Sequence, residues 1–347
     1  MTCYFWSCFR PSSRLKKPNP DAQLLAALNR TSLVMFVEGA DMTINRRNLG
    51  LILAAAVMPL NAALAQPIAS TPEGSDEPTR VEASNDSFTR MVAPVFLNGQ
   101  GPFNFLVDTG ANRSCVSKKL AETLNFPEGP PISLRTVVAA KLRPSIKVDR
   151  LQVGTRSQRN INIPVVPLPN GEADGVLGVD WLKGRRLVLD FKGKGLEITA
   201  SKTEISTASR VVVPAQRRSG QLTLIDADMN GAPISAMIDS GSEISIGNNA
   251  LRRLLPPTSS SDRSLMRQVQ LSTLVGEKFL GEMGYLPFMR LGGLNLGNVP
   301  VVFSETHVFS LWDLHKKPAI ILGMDLLTQF SAVALDFGRS TVRFDIA

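Results

Sequence analysis

The feature that most constrains this chain is a short pattern that occurs twice. Phe105-Leu-Val-Asp-Thr-Gly-Ala-Asn112 is an apolar strand that ends on an acid, a hydroxyl and a glycine, and Ala236-Met-Ile-Asp-Ser-Gly-Ser-Glu243 repeats it with alterations. A single Asp-Thr-Gly would be an ordinary turn signal. Two of them, each closing a buried strand, are what a site built from two carboxylates requires when each half of a chain supplies one acid.

The surroundings of the two acids repeat as well. Each acid strand is preceded by a strand and a hairpin signal, Asn98-Gly99 in the first half and Asn230-Gly231 in the second. Nine residues past the acids stand Ser117 and Asn248, both good helix N-caps. Leu120 and Leu124, matched by Leu251 and Leu255, make the i/i+4 apolar face of a short helix that Pro127 and Pro256 end. Arg150-Leu151 is matched by Arg290-Leu291, and Ile163-Pro-Val-Val166 by Val299-Pro-Val-Val302. Gly175-Val-Leu-Gly-Val-Asp-Trp-Leu182 corresponds to Ile320-Ile-Leu-Gly-Met-Asp-Leu-Leu327, and Val188-Leu-Asp-Phe191 to Ala334-Leu-Asp-Phe337. The order is the same in both halves, which marks an internal duplication.

The remainder of the chain frames these halves. Residues 1–41 show no periodic pattern and are read as disordered or as lying upstream of the true start. Residues 42–65 read as an export signal peptide: Arg46-Arg47 in a basic beginning, an apolar run from Leu49 to Met58, and Ala63-Leu-Ala65 as a small-x-small site that places cleavage after Ala65. The apolar run is only about half the ~20 residues a membrane span needs, so no stable span is expected. The expected location is periplasmic or secreted, and the arginine pair leaves both the general and the twin-arginine export routes open. Residues 66–90 read as a disordered tether, 91–192 as the first lobe, 193–219 as a polar linker and 220–347 as the second lobe.

Composition closes off other chemistries. Gly and Pro number 26 and 23 and the Val/Ile/Leu runs are short, which favours strands and turns. Of the formal charge of +8, half belongs to residues 1–65, so the body carries an ordinary solvated surface with no basic stripe for nucleic acid. Two histidines, His307 and His315, are too few for a histidine-rich metal site, and no G-x-S-x-G accompanies them. Cys115 is the one cysteine beyond the leader and reads as strand filler. Asp226-Ala-Asp-Met-Asn-Gly231 looks like the start of a calcium loop, but Met237 stands where a bidentate Glu is needed.

Together these landmarks resemble the retropepsin-like aspartic proteases, in a tandem form with both repeats in one chain. The resemblance rests on the two Asp-Thr/Ser-Gly strands and on an apolar-apolar-Gly that follows each, 70 residues from Asp108 to Gly178 and 84 from Asp239 to Gly323. It implies an all-β fold: two β-barrels related by a pseudo-twofold, with short helices after each acid turn and after each Leu-Gly. It also implies a peptide or protein substrate lying extended across a groove, no metal and no organic cofactor, and a monomer with pseudo-dimeric lobes. Two copies pairing between chains is the rival arrangement.

The implied catalytic pair is Asp108 and Asp239, two carboxyls that share one proton and so act as base and acid together. Thr109 and Ser240 would bond across to the other half, Gly110 and Gly241 would leave room beside the acids, and Gly178 and Gly323 would let a strand pass close beneath. Asp180 and Asp325 read as caps of the helix after each glycine. Glu243, where Asn112 stands in the first half, is expected to raise the pair's pKa. The flaps expected to cover the groove fall at 137–141 and 273–278. The expected function is endopeptidase cleavage; the alternative is an exported peptide-binding or assembly module that kept the groove and lost turnover.

Overall fold

The computed structural model describes residues 3–4, 10–11, 34–37, 78–86, 90–135, 140–168, 173–218, 220–224, 226–255 and 267–346. The leader read at 42–65 lies outside them. The described chain is mostly β, arranged as two barrel-like lobes that share a sheet.

Each lobe begins as the repeat predicts. In the first, Met91–Leu97 and Gln100–Val107 form a hairpin whose turn residues Asn98 and Gly99 both have positive φ, 50° and 80°. Asn230 and Gly231 repeat those angles, 52° and 79°, between Ala227–Met229 and Ala232–Pro233. This is the turn whose twist matches that of paired strands. After each acid the chain makes a three- or two-residue strand, Cys115–Ser117 or Ile246–Gly247, and then a short helix. The predicted caps form: Ser117 accepts from the Leu120 N–H at 3.0 Å and Asn248 from the Leu251 N–H at 2.8 Å. The glycine-bearing strands Gly175–Leu177 and Ala319–Leu322 run parallel to the acid strands, Leu177 beside Val107 and Leu322 beside Ile238.

The shared sheet is where the duplication closes on itself. Val188 of one Leu-Asp-Phe strand pairs with Ala334 of the other, so the two copies lie antiparallel about a common centre. Outward from Arg185–Asp190 come Gly195–Ala200 and then Thr79–Glu82; outward from Ala332–Asp336 come Thr341–Asp345 and then Arg210–Arg218.

Two expectations are corrected here. The stretch 193–219, read as a linker, supplies two strands of this sheet, and Thr79–Glu82 and Ser84–Asn85 lie in strands within the stretch read as a disordered tether. The physical reason is alternation. Val211 and Val213 face the core while Val212 and Pro214 do not, and Val81 is buried between exposed Arg80 and Glu82. A half-buried edge strand has few apolar residues and reads as polar chain.

The lobes are packed around apolar side chains, and no helix among the described residues is long and apolar enough to cross a membrane. The calcium-loop look-alike is a clamped turn: Asp226 and Asp228 both pair with Arg290, at 2.8 and 2.5 Å.

Leu187 and Leu335 sit opposite one another at the centre of the shared sheet, both fully buried. Leu187→Ala is expected to destabilise the protein by about 2–5 kcal/mol, measured by equilibrium denaturant unfolding.

Candidate active site

The two acid turns face each other at the junction of the lobes. Asp108 and Asp239 are both buried, and their side chains are within hydrogen-bonding reach of one another. Each turn holds its own acid through backbone N–H groups. Asp108 Oδ1 accepts from Gly110 at 2.8 Å and Ala111 at 2.9 Å, and Asp239 Oδ1 accepts from Gly241 at 2.9 Å. Asp108 Oδ2 is buried and finds no donor among the described residues other than the opposing acid. A proton shared between the two carboxyls satisfies it.

The hydroxyls lock the turns as a reciprocal set. Thr109 Oγ1 donates to the Ile238 carbonyl at 2.9 Å, and Ser240 Oγ donates to the Val107 carbonyl at 2.9 Å. In return the Thr109 N–H donates to Ser240 Oγ at 3.1 Å and the Ser240 N–H to Thr109 Oγ1 at 3.0 Å. Four hydrogen bonds thus pair six buried polar groups from the two lobes.

The glycines are required by close approach. A Cβ on Gly110 would stand 2.5 Å from the Asp239 carboxyl carbon, and one on Gly241 2.5 Å from that of Asp108. The obstacle at each glycine is therefore the opposing acid. At Gly178 a Cβ would meet the backbone of Arg113 at 2.6 Å, and at Gly323 that of Ile244 at 2.5 Å. Those contacts are backbone on backbone and cannot yield as a flexible side chain would.

Several residues were not found from the sequence, although the repeat held the signal. Eighteen residues before the acids stand Arg90 and Gln221, buried to 1% exposure, and both reach across to the other lobe. Gln221 Nε2 donates to the Gly110 carbonyl at 2.9 Å. Arg90 pairs with Asp86 at 2.5 Å and lies 3.9 Å from Glu243. Glu243 therefore faces a guanidinium, and burial leads the shifts of both acids, followed for Asp108 by the charge of Asp239.

Six residues past the acids, Ser114 and Ser245 tie the turns down. Asp180 accepts from the Ser114 N–H and hydroxyl at 2.9 and 2.8 Å, and Asp325 accepts from those of Ser245 at 2.9 and 2.8 Å. Each serine oxygen accepts from the glycine behind it, Gly178 at 3.0 Å or Gly323 at 3.1 Å. Asp180 and Asp325 also accept from the N–H of the next residue, Trp181 or Leu326, but they are not the caps expected of them: each stands within the first turn, and the N-cap positions are Gly178 and Gly323. Cys115 is fully buried among apolar side chains, and its thiol pKa is pushed up by that burial.

Electrostatics separate the two acids. Burial raises both carboxyls, and the neighbouring Asp239 charge holds Asp108 well above the usual range. Asp239 is raised to about 6 by burial, while its bond to Asp108 works the other way. One proton is shared between the two carboxyls, which titrate as a pair.

A raised folded-state pKa means that the folded protein binds more protons than the unfolded chain. The contribution of Asp239 to stability is therefore lost as pH rises from the unfolded value through about 6. Asp239→Asn removes that penalty. It is expected to stabilise the protein at pH 7, by up to about 3 kcal/mol, and to change it little at pH 4, as scanning calorimetry at the two pH values will show.

Two family models match the chain in tandem: the gag-polyprotein aspartyl protease model over residues 93–184 and the aspartyl protease model over residues 225–326. Among solved structures, the chain is similar to Basic 7S globulin from soybean at 11% identity and a TM-score of 0.42, over 79% of this chain and 96% of that one. No curated protein matches it. With one matched domain around each acid turn, the chain belongs to the retropepsin-like aspartic proteases, in the two-repeat form that carries both domains in a single chain.

Proposed function

We propose that the protein is an aspartic endopeptidase in which Asp108 and Asp239 activate water between them. The observation that carries this reading is the buried, proton-sharing carboxyl pair, with one oxygen of Asp108 left to its partner alone. Asp239, ionised, takes a proton from the water as its oxygen bonds to the peptide carbonyl carbon. Asp108 gives its proton to the carbonyl oxygen, producing a neutral tetrahedral diol. On collapse the C–N bond breaks, the nitrogen takes the proton held by Asp239, and a diol hydroxyl returns one to Asp108. The starting protonation state is restored.

The substrate is an extended peptide or protein segment. Strand edges of both lobes are able to pair with an added strand, as Cys3–Tyr4 does in parallel with Leu134–Arg135 and Arg10–Pro11 antiparallel with Leu271–Ser272. Main-chain pairing of this kind supplies affinity, and alternate side-chain pockets supply selectivity. Because both acids come from one chain, a monomer is a complete catalytic unit in this reading. The leader at 42–65 makes it an exported enzyme, matured by cleavage after Ala65. A peptide-binding module without turnover is the alternative, and retention of both acids with their full support favours catalysis.

Asp108→Asn and Asp239→Asn are each expected to lower kcat by at least about 10²–10⁴-fold in a peptide-library cleavage assay. Undiminished hydrolysis in both variants would overturn the mechanism; binding without hydrolysis in the wild type would establish the module. The pH profile of kcat/KM is expected to be bell-shaped. Its acid limb lies near the Asp239 value of about 6, because protonation there removes the base. Its alkaline limb marks ionisation of Asp108, which removes the acid.

A further inference from the structure

Bonds that cross between the lobes near the acids differ in what they grip. The expected second flap turns at Thr273, whose N–H donates to the Glu277 carbonyl at 2.8 Å, and Glu277 meets Lys141 at 3.0 Å. Of the first flap expected at 137–141, only residues 140 and 141 are described. The lysine is 49% exposed, so that ion pair contributes a factor of only about two to five. The buried hydroxyl set grips the Val107 and Ile238 carbonyls and the N–H groups of Thr109 and Ser240. None of these bonds touches the peptide that follows Gly110.

Gln221 does touch it. The peptide between Gly110 and Ala111 is held at both ends: its carbonyl accepts from Gln221 Nε2 at 2.9 Å, and its N–H donates to Asp108 Oδ1 at 2.9 Å. The donor comes from the second lobe, and the acid belongs to the first. A carbonyl engaged by a donor polarises its peptide, and the N–H at the other end becomes a stronger donor by about 10–30%. Gln221 thus acts on Asp108 through a bond in which it has no direct part.

The fold delivers this amide with little freedom. Gln221 opens the strand Gln221–Leu224 and pairs with Arg218 across a turn whose Gly220 has φ 98°. A Cβ on Gly220 would lie 3.4 Å from Val179 and 3.8 Å from Asn112, so the turn rests on the first lobe. Gln221 is buried, and its Oε1 has no hydrogen-bond partner among the described residues. Turning the amide over would set that oxygen against the Gly110 oxygen, two acceptors in contact, so the carbonyl fixes the orientation. Arg90, at the equal place in the first lobe, faces a carboxylate of the second where Gln221 meets a carbonyl of the first. The pseudo-twofold is broken at this contact.

We propose that Gln221 is a positioning residue for Asp108, which brings the first lobe's acid turn to its working geometry only when the second lobe is docked on it. The first lobe by itself leaves the Gly110 carbonyl without this donor. Docking supplies it, and the same amide that seats the second lobe orients the Ala111 N–H on the acid. Seating of the lobes and proton transfer at Asp108 then depend on one side chain. The effects on rate rest on the peptidase reading, whereas the contact itself can be read without turnover.

Gln221→Met keeps the length of the side chain and removes the donor. In the full chain labelled at alanine nitrogen, the Ala111 amide proton resonance should move upfield in this variant, because its bond to Asp108 weakens. An unmoved resonance would overturn the proposal. With a peptide substrate, kcat should fall roughly two- to tenfold with KM little changed, since one neutral hydrogen bond is lost and it does not touch substrate. The alkaline limb of the pH profile should move up, because the Ala111 bond that holds the Asp108 pKa down is weakened. Gln221→Glu should keep the wild-type rate and the wild-type Ala111 resonance at acid pH, where its protonated carboxyl donates to Gly110, and lose both as that carboxyl ionises. A merely structural role predicts lower stability and rate in both variants at every pH with the limb in place, and that result would sink the proposal. A moved resonance in a protein that cleaves nothing would instead remove the peptidase reading and keep the positioning contact.

Discussion

Everything at the centre of this protein depends on two carboxyl groups being buried against each other. Desolvation disfavours the charge on both, and the charge of one disfavours the charge of the other, so a single proton is the stable compromise. Holding that arrangement requires rigid surroundings, because the carboxyls would separate if either turn could move. The reciprocal Thr109 and Ser240 bonds supply this rigidity across the lobes, and the Ser–Asp clamps at Ser114 and Ser245 supply it within each lobe. The glycines beside the acids then admit no side chain that would push the pair apart.

The two lobes are copies that have diverged where symmetry is not needed. At the position eighteen residues before the acid, one lobe uses a charged side chain and the other a neutral amide, and both still cross to the opposite lobe. Farther from the acids the divergence is larger: the helix His307–Leu311 packs Val308 and Phe309 into the second lobe's core, whereas the first lobe's core also takes in Leu274 from the second lobe. The elements that touch the acids retain the pseudo-twofold closely, since the shared proton demands matched geometry from both turns.

The repeated acid strands, hairpin turns, caps and glycines were legible because each follows from local chemistry: φ-positive Asn-Gly, a hydroxyl or amide before a helix, alternating apolar residues. The polar strands Thr79–Glu82 and Arg210–Arg218 were not, since an edge strand buries one face and is otherwise written like a loop. Arg90 and Gln221 could have been found from their equal offset, but neither residue type announces a bond to a distant backbone. Glu243 was read for its nearness in sequence to Asp239, yet its charge is answered by Arg90 from the other lobe.

The sequence by itself determined that the chain holds two copies of an acid-bearing unit, and which residues stand at the turn of each. Those facts are local, set by spacing and by the conformations that Asp, Thr, Ser and Gly favour. Only the tertiary structure decided that the two carboxyls stand close enough to share a proton, and that Glu243 faces a guanidinium from the other lobe. Burial and charge pairing depend on groups that approach through space from more than a hundred residues away, and no local pattern encodes that approach.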